Sequence, residues 1–526
     1  QTRHDASNLA RATQAPPVPA IPSAVAATER VHVTHVEVTW ASVKGASSYA
    51  VFRSIQDDPA TAELLNGDVT GQTSFSDLSA AVEVTYRYWI KAQNMSGASD
   101  FSASASGTRR QAVPGDPLFT WDVAGPVNGS PAIAPDGSVY VSAHQAFVGG
   151  ERAGHKLVAL GPAGAIRWEY SVEGPELSSP AIGSDGTVYF GVRNSLNSSA
   201  PSPLIALNPD GTRRWEFTAE DAIVSPPAIG ADGTLYFGSR DYNVYALTPG
   251  GQLLWRCPLG VSVAAPPVIG ADGALYIATC NARLVAVNPD GTPRWSVAAG
   301  INSDGDTATP APALADGALY VPAGPGGLVA VNLDGTERWR VGGASVYASP
   351  VIDRDGNVLV GNGDSALVAI RPNGAELWRY PTGTIHRGAA VVGAAGAAYT
   401  ALWDGRVVAV ATNGSPVWTA QTGAELWSSP ALAPDGTLYV GGADGKVRSF
   451  FTGTVLADSD WPMFQRDLRH TGRETRTLPL PATPANLQAS DATFNDRIRV
   501  SWASARWAVE YEVWRHTENA LAAAAL

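Results

Sequence analysis

Charge and sulfur are scarce in this 526-residue chain. Only 16% of its residues are charged, and it has two cysteines and two methionines. Two cysteines cannot found a disulfide framework. Cys257 and Cys280 stand one repeat apart, which leaves a single bridge and two separate buried thiols equally open. Long apolar runs are missing too: none reaches about 18 residues, so no membrane-spanning helix is expected. Basic character is also absent. The net charge is −12, which argues against the basic patch that nucleic acid or an anionic membrane surface would need. The opening QTRHDASNLARATQAPP has no apolar core of the signal-peptide kind, and it reads as a mature N-terminus or a boundary. Ser-His-Asp order, a phosphate-cradling glycine loop and zinc-ligand spacing are all lacking.

What the chain has in quantity is glycine (54) and proline (38), together with a repeat. SSPAIGSDGTVYFG (178–191) returns as SPPAIGADGTLYFG (225–238) and again as SSPALAPDGTLYVG (428–441). Tryptophan anchors each unit, at Trp121, Trp168, Trp215, Trp255, Trp295, Trp339, Trp378 and Trp418, with successive intervals of 47, 47, 40, 40, 44, 39 and 40 residues. Within a unit the pattern is strand, Asp-Gly turn, strand, loop, strand, Asp-Gly-like turn, strand. Such turns need φ > 0, which glycine adopts without a Cβ clash, and alternating apolar residues on either side mark hairpins.

Four short antiparallel strands in about 40 residues make one propeller blade. Eight first strands are legible: 130–133, 179–182, 226–229, 266–269, 310–314, 349–352, 389–392 and 429–432. The eighth unit lacks a Trp strand of its own, whereas LFTWDVAG (118–125) is a Trp strand with no unit before it. This strand is expected to complete the eighth blade and close the ring, which removes exposed sheet edges. The tryptophans then pack between blades as core rather than as a ligand-stacking series. The expected class is all-β, an eight-bladed propeller with an N-terminal β-sandwich and a truncated C-terminal one.

The units ALNPDGTRRW (206–215), AVNPDGTPRW (286–295) and AVNLDGTERW (330–339) resemble the pyrroloquinoline-quinone-type propeller repeat. That family includes quinoprotein dehydrogenases and an outer-membrane assembly lipoprotein, so the resemblance implies the eight-bladed fold over about 117–465 and leaves the function open. WPMFQRDLRHTGR (461–473) resembles a segment that flanks such propellers in secreted bacterial proteins. The dehydrogenases carry adjacent disulfide-linked cysteines, a Glu/Asn/Asp calcium set and long insertions. Here the cysteines are 23 apart and the units are lean, so a quinone is not the expected cofactor.

After a flexible 1–15, residues 16–110 read as a second fold. HVEVTWASVKGASSYAVFRS (35–54) and VTYRYWIKAQN (84–94) supply alternating strands that suit a β-sandwich and resemble fibronectin type III domains. RIRVSWASARWAVEYEVWRH (497–516) repeats the pattern, with Trp502 and Tyr511 spaced as Trp40 and Tyr49 are. Residues 486–520 are therefore expected to be a partial second module of a protein that continues. LAAAAL (521–526) reads as expression-vector residues. The Pro-rich stretches 109–117 and 478–486 are semi-rigid linkers, the second overlapping the end of a 466–485 connection.

The repeat also sorts the rims. Asp-Gly turns fall on one rim, while the middle loops and the Trp-to-next-unit loops gather on the other and vary in length and charge. Function is expected among residues that break the repeat. GINSDGDTATPAP (300–312) places Asn302, Asp304 and Asp306 in an oxygen-rich alternation suited to a divalent cation, calcium or zinc, without the glycine and glutamate of an EF-hand. TIHRGAAVV (384–392) puts His386 and Arg387 at the start of an innermost strand. His386 is the candidate catalytic group, set against a plain structural histidine. Arg240, Asp241, Tyr347, Arg387, Asp404 and Trp427 are candidate ligand-binding residues. Glu220, Asp221, Arg406 and Glu425 accompany them in the same units, and His144 and His155 are expected in the long middle loop of the first unit.

Two functions compete. The first is a secreted, periplasmic or cell-surface bacterial protein, monomeric, that binds a glycan or an envelope protein through the variable rim. The second is a metal-assisted hydrolase of phosphate, sulfate or carboxylate esters at the channel mouth, with the 302–306 loop and His386 as its parts. A quinone-dependent dehydrogenase comes third.

Overall fold

The computed structural model describes residues 15–144, 147–148, 151–152, 154–161, 165–174, 176–194, 200–300, 310–384, 386, 388–474, 488–489 and 500–501. The chain divides into two units, Gln1–Glu173 with Gly393–Ala457, and Gly174–Val392 with Asp458–Leu526. Strands make up nearly all of the regular structure. The helical element among the described residues is the single turn Pro59–Thr61.

The first unit begins with two sheets. Ala26–Ala27, Val36–Thr39 and Ser74–Asp77 form one, and Glu63–Thr70, Ser48–Ser54, Thr85–Asn94, Gly97–Ala98 and Ala105–Thr108 form the other. The alternation legible in VEVT decides the packing. Val36 and Val38 are fully buried and join Trp40, Tyr49, Val51, Tyr88 and Ile90 in one core, while Glu37 points outward. One ion pair, Arg53 with Asp77, is inside. Arg53 Nη1 and the Tyr88 hydroxyl donate to Asp77 Oδ2 at 2.7 and 2.8 Å. Burial works to raise the Asp77 pKa, and the hydrogen bonds from Ser79, Tyr88 and Arg53 outweigh it, so the carboxyl titrates below its ordinary range.

The repeat sheets share one design. In 181–219 the strands Ala181–Ile182, Val188–Arg193, Ser202–Leu207 and Arg213–Ala219 pair antiparallel in chain order. The same order recurs at 228–258, 268–298, 313–341 and 351–381 in the second unit and at 132–172 in the first. Also in the first unit, Ala431–Leu432, Thr437–Gly441 and Lys446–Phe451 form a sheet whose fourth strand is Pro117–Asp122, with Trp121 opposite Val447. The early Trp strand thus completes a sheet more than 300 residues later and caps an edge that would otherwise be open.

Why these residues recur follows from their contacts. Asp-Gly turns such as 183–187 are knit by their own aspartate, as Asp185 Oδ1 accepts the Thr187 amide at 3.0 Å. The third and fourth strands carry a one-residue bulge before each Trp, for instance Ala206 opposite Trp215 but Leu207 opposite Arg213. A bulge re-aims the skipped side chain. Arg214 therefore reaches back to Asp185 Oδ2 at 2.6 Å, and Arg294 reaches Asp272 at 2.7 Å. The Trp ring packs on the tyrosine of its own second strand, at 5.8 Å between centroids for Trp215 and Tyr189. Its Nε1 donates to a carbonyl of the next repeat: Trp215 to Pro249, Trp255 to Pro289, both at 2.9 Å, and Trp339 to Pro372 at 2.8 Å. A Cβ on Gly251 would come within 2.6 Å of the Trp215 ring, so that glycine serves both its φ of +82° and the close approach. Trp215, Trp255, Trp295 and Trp339 are thus sheet-to-sheet staples, whereas the buried Trp121 Nε1 has no hydrogen-bond partner.

Residues 459–474 form a strap inside the second unit. The last residue of one first strand after another donates its amide to a strap carbonyl. Ile182 bonds Arg469, Ile229 bonds Thr471, Ile269 bonds Gly472, Ile352 bonds Trp461 and Val392 bonds Pro462, all at 2.7–2.9 Å. Trp461, Met463, Gln465 and His470 are buried. Gln465, Arg466 and His470 hold left-handed φ of 54°, 72° and 56°, unusual for non-glycine residues. Asp467 pins this conformation by accepting the amides of Arg469 and Thr471 at 3.0 and 3.1 Å. Cys257 and Cys280 form no disulfide, and burial pushes the Cys257 thiol up.

Candidate functional site

The loops opposite the Asp-Gly turns hold most of the residues singled out by sequence. Asn302, Asp304, Asp306 and Arg387 lie outside the described residues, as do 1–14 and most of 486–520. The others fall into two groups, one in each unit.

In the first unit the group is built on two adjoining loops. The turn Leu402–Gly405 carries Trp403 and Asp404, closed by the Leu402 amide donating to Arg406 O at 2.9 Å. The loop 421–427 folds over it. Gln421 Nε2 donates to Asp404 O at 3.0 Å and the Thr422 amide to Gly405 O at 2.9 Å. A Cβ on Gly405 would meet Ala424 O at 2.6 Å, so only glycine, at φ +84°, lets the loops close. This brings Trp403 and Trp427 together at 6.0 Å between centroids, tilted by 51°. Trp427 Nε1 donates to Glu425 Oε2 at 3.0 Å, and Arg406 clasps Asp404 through Nε at 2.8 Å and Nη2 at 2.6 Å. Both indoles are half-buried, so the result is an aromatic pair flanked by a carboxylate and a carboxylate–guanidinium pair. Sequence reading named Trp427 and Asp404 and missed Trp403. The departure from the usual small residue before D-G, LWDG (402–405), was the available signal. His144 and His155 face each other across the middle strands of 132–172, rings 4.3 Å apart and nearly perpendicular, with His155 buried.

In the second unit the same kind of loop centres on Asp241. Its carboxylate accepts from the Glu220 amide (3.0 Å), the Asn243 amide (3.0 Å) and the Tyr245 hydroxyl (2.7 Å). It is therefore spent on holding its loop to the neighbouring one. Burial first, then the Asp241 carboxylate, pushes the Tyr245 phenol well up. Arg240 is half-buried, and its amide donates to Ala222 O at 3.0 Å. Tyr347 and Tyr242 stand exposed on loops of this rim, at 47% and 55%.

His386 precedes a first strand, Val391–Val392, as its sequence context suggested, but it is buried rather than exposed. It is 2% exposed, with Nε2 2.9 Å from Thr382 Oγ1. The Thr382 hydroxyl lies 2.6 Å from Ser365 O, so its oxygen is left to accept from the imidazole. The ring packs on Gly361, where an added Cβ would be 2.2 Å from His386 Cβ. Other repeats place an apolar residue in that position: Ile223 on Gly191, Val263 on Gly238 and Val127 on Gly441. His386 thus fills a packing position of the repeat. A cleft lined by Val341, Val346, Val360 and Arg379 measures about 30 Å³.

Residues 200–372 and 240–447 match the family model described as outer membrane protein assembly factor BamB. The repeats of 200–447 are BamB-like. Among solved structures, BamB from Moraxella catarrhalis is 20% identical, with 64% of this chain and 97% of that one covered, at a TM-score of 0.49. The computationally designed protein Ika8 is 13% identical, with 64% and 100% covered, at 0.50. A europium-containing methanol dehydrogenase is 14% identical, with 62% and 85% covered, at 0.48. Identities this low speak to the fold alone. No curated protein matches the chain in sequence. The fold is an all-β propeller type. In a propeller the sheets surround a central channel. The strap, bonded to first strands of the second unit just before their Asp-Gly turns, runs along the Asp-Gly side of that unit.

Proposed function

We propose that this chain is a binding or scaffolding protein of the bacterial envelope, periplasmic or cell-surface, whose propeller holds a protein partner on the rim opposite the Asp-Gly turns. On this reading eight blades close into one ring, fibronectin-type modules space it from its surroundings, and the chain acts as a monomer. The observation that carries the proposal is the Trp403–Trp427 pair with Glu425, Asp404 and Arg406 around it. Two half-buried indoles beside an arginine are the residue types that dominate protein interfaces. Tyr347 and Tyr242 add exposed rings on loops of the same kind. The BamB family name, an assembly factor, favours a protein over a sugar as the partner. Among the described residues no helix is long and apolar enough to cross a membrane.

The hydrolase alternative loses support because His386, its acid or base, occupies a buried packing position. A photoreactive side chain placed at Trp403, followed by cross-linking in envelope extracts and reconstitution with each purified candidate, tests the proposal. Trp403→Ala and Trp427→Ala should each weaken the reconstituted complex about 30-fold or more, the mark of an anchor worth about 2 kcal/mol. Unchanged affinity in both would overturn the site. Binding of glycans alone, on an array, would replace the protein partner with a sugar.

A further inference from the structure

A second feature lies in the sandwich sheets of the first unit, apart from the propeller loops. The stretch His32–Glu37 reads H-V-T-H-V-E, and its apolar members are the ones that go inside. Val33 and Val36 are buried at 6% and 0%, which turns His32, His35 and Glu37 outward together. Their ligand-capable atoms all lie within 4.8 Å of one another. The two imidazoles stack at 4.2 Å between centroids and 16° between planes, and His32 Nε2 is 3.6 Å from Glu37 Oε2.

We propose that His32, His35 and Glu37 bind a transition-metal ion of the zinc class, with three protein ligands and one open position. Two imidazoles and a carboxylate are the donor set such ions select, whereas calcium and magnesium prefer oxygen alone. Bonds of about 2.1 Å at tetrahedral angles place ligand atoms about 3.4 Å apart. The His32–Glu37 pair already has that spacing, and a small rotation of the half-exposed His35 ring supplies the rest. The backbone is held for the purpose. The Arg110 amide donates to His32 O at 3.1 Å, and Glu37 exchanges backbone and side-chain hydrogen bonds with Thr28 at 2.9 and 3.0 Å. Thr34 Oγ1 lies 2.9 Å from His35 Nδ1. Accepting that N–H would fix the tautomer that leaves Nε2 for the metal, the usual partner of a ligating histidine. The Arg109 guanidinium is turned onto carbonyls, with Nη1 3.3 Å from Ala80 O and Nε bonded to Val33 O. The open position leaves the ion able to take a ligand from outside the chain.

Zinc chloride titrated into the EDTA-stripped, dialysed protein tests the proposal by calorimetry, and cobalt substitution adds a visible spectrum that reports coordination. One zinc per chain is expected at this site, with affinity falling at least about tenfold in His32→Ala and in His35→Ala and less in Thr34→Val. Calcium in excess should not displace it. All three positions are partly exposed, so unchanged far-ultraviolet dichroism and melting in EDTA establish that the variants fold. The proposal is overturned by absence of zinc binding at millimolar concentration, or by stoichiometry and affinity that survive the His32→Ala/His35→Ala double substitution.

Discussion

His470 should make the second unit lose stability as the pH falls from neutral to 4. The residue is fully buried in the strap; its Nδ1–H donates to Pro180 O at 2.8 Å and its Nε2 has no partner. Protonating Nε2 would put an unpaired charge where no water reaches, and burial accordingly pulls the pKa down to about 4. An unfolded chain holds the same group near 6.5. The folded value is the lower one, so between pH 6.5 and 4 the unfolded state takes up a proton that the folded state refuses. The contribution is intact above about 6.5 and declines as the pH drops towards 4, where linkage puts the cumulative loss at about 3 kcal/mol. Urea unfolding followed by tryptophan fluorescence, which includes Trp461 of the strap, measures it at several pH values. His470→Asn keeps an N–H for the Pro180 carbonyl and does not titrate. Whatever its stability at pH 7, its curve should be flatter than wild type between pH 6.5 and 4 by about 3 kcal/mol. Acidic groups titrating in both proteins cancel in the comparison. Parallel curves over that window would refute the reasoning.

Three further outcomes follow from the packing. Gly361→Ala should cost about 1–3 kcal/mol, because its Cβ would stand 2.2 Å from His386 Cβ. His386→Ala should recover part of the loss in that background, and thermal melts of the four proteins check the coupling. Trp255→Phe keeps the ring against Tyr236 but removes the donor to Pro289 O, for a loss of about 1 kcal/mol in denaturant unfolding. Burial opposes ionisation of Asp185, but Arg214 and Thr187 together hold its carboxyl below the ordinary range. Its contribution is therefore present above about pH 4 and lost as the pH falls through the depressed folded value. In Asp185→Asn the acid limb below pH 4 should be shallower, by no more than about 1 kcal/mol, since Arg214 is exposed.

The repeat was readable because each of its residues answers a local demand. Glycine follows aspartate where φ must be positive, and tyrosine and tryptophan recur where neighbouring sheets must be stapled. The candidate site was half readable. Trp427 and Asp404 stood out as departures from the repeat, but their pairing with Trp403 depends on loop 421–427 lying over Gly405. His386 misled for the same reason: in sequence it was a polar exception, and only its seat on Gly361 shows that it replaces Ile223 or Val263 of other repeats. His32, His35 and Glu37 drew no notice, because His32 and His35 flank a bend before the strand Val36–Thr39, where no period-two alternation tells which side chains turn the same way.

The sequence by itself determined the all-β class, the strand order within each repeat, the Asp-Gly turns and the outward or inward sense of many side chains. These rest on φ preferences and on period-two alternation, which act between residues close in the chain. The pairing of Pro117–Asp122 with Lys446–Phe451 was legible as well, from a Trp strand with no unit and a unit with no Trp strand; only the tertiary structure decided that 459–474 would lend its carbonyls to first strands from Ile182 to Val392. Those partners are up to about three hundred residues apart. Their hydrogen bonds form because a buried amide left unpaired is costly, a demand that names no particular partner until the chain has folded.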